Sequence, residues 1–399
     1  MVKLVICSDT HLNAYYARMR PEQLEKRRER LRQAFQKVVD FAIEEKVDVF
    51  LHAGDLFDMP DPRYKEVILT FRELKRLKEA GIRTYLIGGT HDIPKAIYEA
   101  GGAPVLHLYE EAGLAKFFRF FHTSEAEVID VNGKRLVIAG VSCDPRIRDG
   151  NPLESLNHTP AEGDFRIFMF HYAIEGKMPR MYEGAFVPLS CLRDLPADII
   201  VAGHIHPHSH FELGNKLVII PGATERLDFG EEENETGFYY VELENKPKIK
   251  YLKIEPQRMR TVELHISELA NQPEEKKAEY IISKLKSFSH PDQLLRFRLK
   301  GQIKPAHSSP GTKPPFTQFI PLNRIVEEGN NNNFYFHLDL SELKIESSLI
   351  ETYGGEGNIS IFEEVEKVVN SMLEREDETM KKLIQEARHI VLSRLEEVR

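Results

Sequence analysis

The sequence predicts an α/β chain: a two-sheet sandwich with helices outside, followed by a small α+β module and a helical C-terminal tail. Three observations predict it. Up to about residue 230, short apolar runs alternate with helical stretches, the pattern of strands joined by crossover helices. The later apolar runs have too little helix between them to continue the same sheet, so a second sheet is expected. A length of 399 residues exceeds one ordinary domain and leaves room, beyond a core of roughly 250 residues, for one or two smaller modules.

In chain order, a strand is expected at 4–7, a helix near 23–45, a strand at 49–51, a helix near 63–80 and a strand at 84–87. The runs 135–139, 166–170, 199–202 and 217–220 supply the second sheet, and the pair 236–243 and 248–254 closes this part, with Glu255-Pro256 as its exit. Strands at 261–266, 294–303 and 334–340 with a helix at 273–287 make the α+β module. Inside it, the Pro, Ser and Gly of 304–315 and the polar stretch 329–333 are expected to be exposed loops. In the tail, Ser360-x-x-Glu363 is a capping box, and Ile361, Val365, Val368 and Met372 repeat at helical spacing. Such a stripe needs a partner surface, and Gly354, Gly355 and Gly357 form a joint that lets the partner be another chain. The expected domains are therefore 1–255, 256–350 and 351–399.

Composition bounds the function. No apolar run approaches the roughly 18 residues of a membrane span, and no charged-then-apolar leader opens the sequence, so a cytoplasmic protein with no membrane partner is expected. Three cysteines, Cys7, Cys143 and Cys191, contain no CxxC pair, which leaves any metal to His and carboxylate. The net charge of −9 excludes coating nucleic acid through bulk positive charge and requires local basic patches instead. The best candidate is 18–32, with seven basic residues (Arg18, Arg20, Lys26, Arg27, Arg28, Arg30, Arg32) against three acids. Its plainer reading is a solvated helix face laced by i,i+4 ion pairs.

The chemistry lies at the ends of the expected strands. Asp9-x-His11 follows the first, where i and i+2 side chains of extended chain share a face. Gly54-Asp55-x-x-Asp58 follows the second, with Gly54 permitting a tight turn or a close approach. Gly89-Thr90-His91-Asp92 follows the third, His171 follows 166–170, and Gly203-His204-x-His206 follows 199–202. Carboxyl ends of strands in α/β sheets converge on one crevice. Histidine nitrogen and carboxylate oxygen without thiolate suit Mn, Fe or Zn, and two such ions can activate a water and clamp a phosphate.

These motifs resemble those of the calcineurin-like metallophosphoesterases: D-x-H, G-D-x-x-D, G-N-H-D/E, H and G-H-x-H. The resemblance spans about residues 1–254 and implies a two-sheet metallophosphoesterase sandwich. It implies one ion held by Asp9, His11, Asp55 and His206, and a second by Asp55, position 90, His171 and His204. It gives His91 the transition state or the leaving oxygen, and Asp92 the task of orienting His91. Thr90 departs from the pattern, which has Asn there; a hydroxyl is a poorer ligand than an amide oxygen, so a weaker second ion is expected.

Within that superfamily, residues 51–58 (Leu-His-Ala-Gly-Asp-Leu-Phe-Asp), the Pro-containing loop that follows and the overall length resemble the DNA double-strand-break repair nucleases of the SbcD or meiotic-recombination-eleven type. That resemblance implies exonuclease and endonuclease cleavage of DNA by a two-metal-activated hydroxide, with Mn the expected ion. It further implies a homodimer at DNA ends, a DNA-capping role for 256–350 and docking of the tail on a coiled-coil ATPase of the SbcC type. Arg18, Arg20, Arg27 and Arg63 are the candidate DNA contacts. A phosphodiesterase of small molecules, or a weakly active end-tethering subunit that regulates an ATPase, fits the same motifs.

Overall fold

The computed structural model describes residues 1–16, 19–96, 99–158, 161–177, 184–269, 274–303 and 322–345. Arg18, the expected loop at 304–315 and the helical tail at 351–399 lie outside the described residues.

Two sheets form, as the apolar runs require. The first has six strands in the order Pro247–Ile254, Thr236–Leu243, Val2–Cys7, Val49–His52, Arg83–Ile87 and Lys116–Phe118. Its last four strands run parallel, joined by the helices Pro21–Glu44 and Tyr64–Glu79 and a longer connection carrying Leu106–Glu111. The hairpin Thr236–Leu243/Pro247–Ile254 returns antiparallel to Val2–Cys7. The second sheet has seven strands, ordered Ser209–Leu213, Lys216–Ile220, Ile199–Ala202, Phe165–Phe170, Lys134–Gly140, Thr123–Val131 and Asn157–His158. Its central four are parallel.

The period of two along each strand builds three apolar layers from the same few residues. Leu4 and Ile6 face inward with Leu51, Ile87, Ile167, Met169, Val201 and Ile219, between the sheets. Val5 and Cys7 face the other way, with Phe50 and Leu86, against Leu31, Phe35, Val38, Leu74 and Leu77 of the two crossover helices. The far face of the second sheet buries Phe168, Phe170, Ile200 and Val218 against Leu192. Strands buried on both faces read as unbroken apolar runs, which is why these were visible in the sequence.

The chain divides into two compact units, the first comprising Met1–Val262, Leu285–Arg296 and Val326–His337, the second Glu263–Lys284, Phe297–Ile325 and Leu338–Arg399. A small sheet follows the sandwich, ordered Arg258–His265, Gln293–Ile303, Tyr335–Asp339, with Leu343–Ile345 paired parallel to Gln293–Ile303. Within the second unit, Arg298 binds Asp339 and Glu263, and Lys300 binds Glu263 and Glu342. These two cations are thus matched by nearby acids.

The stretch 329–333 corrects an expectation. Gly329 to Asn332 continue a helix, Leu322–Asn332, and do not form an exposed polar loop. Asn333 is buried, donating to the Gly329 carbonyl and to Ser289 Oγ while its Oδ1 accepts from His290 N–H. Of the polar run that suggested a turn, Asn330 and Asn331 sit on the exposed side of the helix, and the amide of Asn333 is consumed inside the protein. Gly329 is there for space: a Cβ would lie 2.3 Å from Cγ of the Phe336 ring. Alanine is the better helix former by about 1 kcal/mol, whereas overpacking costs about 1–3 kcal/mol. Gly329→Ala should therefore lower the denaturant midpoint of the full chain, and a raised midpoint would show that the Phe336 ring yields freely.

Candidate metal centre

All five motifs lie just past the carboxyl ends of neighbouring parallel strands. The first two loops are stitched together beyond their strands. Asp9 N–H donates to the Gly54 carbonyl, His11 N–H to that of Asp55 and Leu12 N–H to that of Leu56, at 2.9–3.0 Å. This differs from the extended geometry expected of Asp9-x-His11. The strand stops at Cys7, and Asp9 and His11 have φ of 51° and 47°. Asp55 (52°) and His204 (84°) share that left-handed region, where non-glycine residues are uncommon and concentrate at functional sites.

Besides a cluster of His11, Asp58 and His91 that reaches the exposed imidazole, two donor sets result. In one, single ligand atoms of Asp9, His11 and His206 lie within 4.8 Å of one another; in the other, those of Asp55, His171 and His204 do so. Asp55 joins them. Its Oδ2 lies 3.1 Å from His171 Nε2 and 3.7 Å from His11 Nε2 and accepts from Thr90 Oγ1 at 3.3 Å, while its Oδ1 accepts the His91 N–H at 2.8 Å. Asp9 Oδ1 is 3.8 Å from His206 Nε2 and 3.9 Å from His171 Nε2, and accepts the His204 N–H.

Three of the imidazoles are anchored by the nitrogen that faces away. His171 Nδ1–H donates to the Ala53 carbonyl at 2.7 Å, His11 Nδ1 meets Asp58 Oδ1 at 3.1 Å, and His206 Nδ1 meets Glu231 Oε1 at 2.5 Å. Such outer partners fix the ring and leave Nε2 for an ion. Nε2 of His11 and of His171 are buried without any hydrogen-bond partner, a costly arrangement that a bound cation resolves. The donor set fits a pair of divalent ions. Glycines make the approach possible. Gly54 has φ of 90°, and a Cβ there would sit 2.4 Å from His171 Nδ1; on Gly203 it would sit 2.1 Å from the Ala53 oxygen that His171 uses.

Electrostatics follow from the crowding. Burial alone would raise the Asp55 carboxyl, but the His171, His11 and His91 imidazoles hold it well below the usual range. Burial would lower His171 too, yet Asp55 and Asp9 bring it up to about 9. His204, buried beside His171, falls to about 4. Such opposed shifts packed into one cleft mark functional sites.

His91 is 47% exposed, above the donor sets, with Nδ1 donating to the Asp58 carbonyl at 3.0 Å. The expectation that Asp92 orients it is corrected. Asp92 is buried and accepts three backbone N–H groups, from Leu56, Phe57 and Gly89, so it clamps the second and third loops together. Asp58, the second carboxylate of its motif, touches both His11 and His91 and is the residue that motif reading missed; its place three residues after Asp55 was the available signal.

The basic stretch is corrected as well. Arg27 is wholly buried, ion-paired with Glu225 at 3.5 Å and bonded to Gln257 and the Arg226 carbonyl, and so is withdrawn as a DNA contact. Arg28 binds the carbonyls of Asn13 and Ala14, just past the first motif, and Arg32 pairs with Glu25, Glu29 and Glu66. Arg27, Arg28 and Arg32 brace the protein from inside. Arg20 and Arg63 are exposed, Arg63 beside Glu25 at 3.0 Å. His52 is buried against Thr10, and His208 and His210 share the Tyr239 hydroxyl, away from the donor sets.

Proteins called DNA double-strand break repair protein Mre11 are similar to this chain. That of Sulfurisphaera tokodaii is 34% identical over 226 residues, 55% of this chain and 53% of its own length. That of Sulfolobus acidocaldarius is 27% identical over 313 residues, 76% of each. The Methanocaldococcus jannaschii protein is 27% identical over 59% of this chain and 61% of its own. The match to the first of these thus spans about half its length. Residues 2–208, more than half of the chain and all five motifs within it, match the calcineurin-like phosphoesterase model, and the chain belongs to that family.

Proposed function

We propose that the chain is a metal-dependent phosphodiesterase that cuts DNA, working as exonuclease and endonuclease in double-strand-break repair. The observation that carries this reading is the pair of buried imidazole–carboxylate sets joined at Asp55 beneath an exposed His91. Two divalent ions there, Mn in the first instance, would supply an activated water and a clamp for the phosphate oxygens. Asp9, His11, Asp55 and His206 would hold one, and Asp55, Thr90, His171 and His204 the other.

The chain's own groups do the rest. Because His91 Nδ1 donates to the Asp58 carbonyl, Nε2 of this half-exposed ring is the nitrogen left for a substrate. Protonated, it donates to the leaving oxygen as the phosphorus–oxygen bond breaks. Asp92 keeps the His91 loop fixed to the Asp55 loop through backbone bonds, so the proton donor and the bridging carboxylate move as one.

The names of the similar proteins support DNA ends as substrate. The coiled-coil ATPase partner rests on resemblance and on the apolar stripe of the tail. A homodimer has support on the surface: Tyr64 and Ile68 of Tyr64–Glu79 and Leu108 of Leu106–Glu111 are 86%, 49% and 45% exposed, the kind of apolar residues an isologous contact covers. Arg20 and Arg63 remain the candidate phosphate contacts.

The test is hydrolysis, with Mn, of double-stranded ends, single strands and bis-p-nitrophenyl phosphate. Cleavage of the small diester alone would point to a small-molecule phosphodiesterase, and binding of DNA without any cleavage to a tethering subunit. His91→Ala should cut turnover by at least about a hundredfold, the scale of a lost general acid, while the purified variant still carries two ions per chain by elemental analysis. Loss of both ions would make His91 a ligand. Thr90→Asn should tighten the weaker of two Mn-binding steps in calorimetry; an unchanged titration would mean that position 90 touches no ion.

A further inference from the structure

A second feature lies against the His91 loop and has no part in the chemistry above. A cavity of about 440 Å³ opens beside Ile93 and Pro94, two and three residues beyond His91, and is walled by Arg119, Phe120, Phe121 and Arg146. Its size falls within the roughly 300–1,000 Å³ of small-ligand sites, so it admits one nucleotide and not a duplex. The walls are tied to the metal centre. Gly88 N–H donates to Ser142 Oγ and Cys143 N–H to the Gly88 carbonyl, both at 2.8 Å, so the segment bearing Arg146 is fixed to the loop bearing His91. Arg119 and Phe120 follow Lys116–Phe118, next in the sheet to the strand that delivers that loop.

The lining has two chemistries side by side. Phe120 is 40% exposed, unusual for a phenyl ring, with the Arg119 guanidinium 5.1 Å from its centroid. Arg146 lies 5.8 Å from the Phe121 centroid. Arg119 pairs with no carboxylate among the described residues, while Asp144 grips Nε and Nη2 of Arg146 and so fixes its plane. The one imidazole on the wall, His107, is held below its usual value by burial and by the charge of Arg119, as expected where cations gather. In a chain of net charge −9, a cationic pocket with an exposed phenyl ring is a local exception. Bases stack on aromatic rings and phosphates meet guanidinium groups in single-strand binding sites.

We propose that this pocket takes one unstacked nucleotide of an unpaired DNA strand next to the scissile phosphate, with the base against Phe120 and the phosphate on Arg119. This rests on the reading of the metal centre as a DNA phosphodiesterase and adds the strand form that it prefers. A frayed or single-stranded end reaches the pocket, whereas paired bases stay stacked in the duplex.

Binding is measured on the full chain by fluorescence anisotropy, with EDTA to prevent cutting, using a labelled oligo-dT strand and a hairpin-closed duplex. Phe120→Ala should weaken the single strand about tenfold, the scale of one lost stack, and leave the duplex within about twofold; Phe120→Trp should restore binding. Arg119→Ala should reduce the slope of log affinity against log salt by about 0.7, one phosphate on a single strand. The proposal is overturned if the wild type does not bind oligo-dT, if Phe120→Ala changes nothing, if it weakens both ligands alike, or if tryptophan does not rescue. Failure of the phosphodiesterase reading registers separately, as absent hydrolysis of bis-p-nitrophenyl phosphate by the wild type with Mn, and leaves the binding comparison intact.

Discussion

One buried carboxylate, that of Asp55, is engaged by both imidazole sets at once, and the backbone around it is shaped by that demand. Its Oδ2 lies within reach of His171, His11 and Thr90, and its Oδ1 is held by the His91 N–H. To aim it there, the chain turns left-handed at Gly54 and again at Asp55, and the facing loop does the same at Asp9 and His11. Non-glycine residues held in such sparsely populated conformations cost of order 1–3 kcal/mol each. The cost is tolerated because the backbone bonds between the two loops and the three N–H groups on Asp92 leave the loops little alternative.

The sandwich is what brings the second donor set to Asp55. Asp9, Asp55 and His91 follow parallel strands of one sheet, His171, His204 and His206 parallel strands of the other, and the layer of Ile6, Leu51, Ile87, Met169 and Val201 fixes the distance between them. Because that interior is close-packed, a change of a methylene there is felt at the strand ends. The Ala53–His171 hydrogen bond and the His204 N–H on Asp9 couple the two sheets directly at the site, and Gly203 is small so that the first of these can form.

How much of this was legible depended on how local the cause was. Buried parallel strands announce themselves as apolar runs, and the ligands sit at their ends, so both sheets and the motif residues could be placed from the sequence. Arg27 could not: its partner Glu225 is nearly two hundred residues away, and in isolation a basic run reads as surface. Asp92 looked like a partner for the adjacent His91, but adjacent side chains point apart, and its carboxylate was needed by backbone N–H groups of another loop. Asn333 and Gly329 looked like a turn by composition, and only the Phe336 ring, the Ser289 hydroxyl and the His290 N–H reveal that small size and amide polarity serve packing. In each case the residue type was read correctly and the long-range partner was missing.

The two donor sets differ in what surrounds them, and the Thr90 hydroxyl is one difference. Asp9, His11 and His206 surround their position with a carboxylate and two imidazoles, two of them held by acidic partners. At the other position, Thr90 turns its proton toward Asp55 Oδ2, the oxygen that an ion there needs. An amide at position 90 presents a carbonyl lone pair without competing for that oxygen; a hydroxyl has to rotate away first and then offers a weaker donor. Burial beside His171 brings His204 down to about 4, so it is a neutral imidazole with no proton to displace. The set around Asp55 therefore combines a hydroxyl bound to the shared carboxylate with an imidazole, His204, that is already neutral, whereas in the other set the carboxylate of Asp9 faces two imidazoles held by acids.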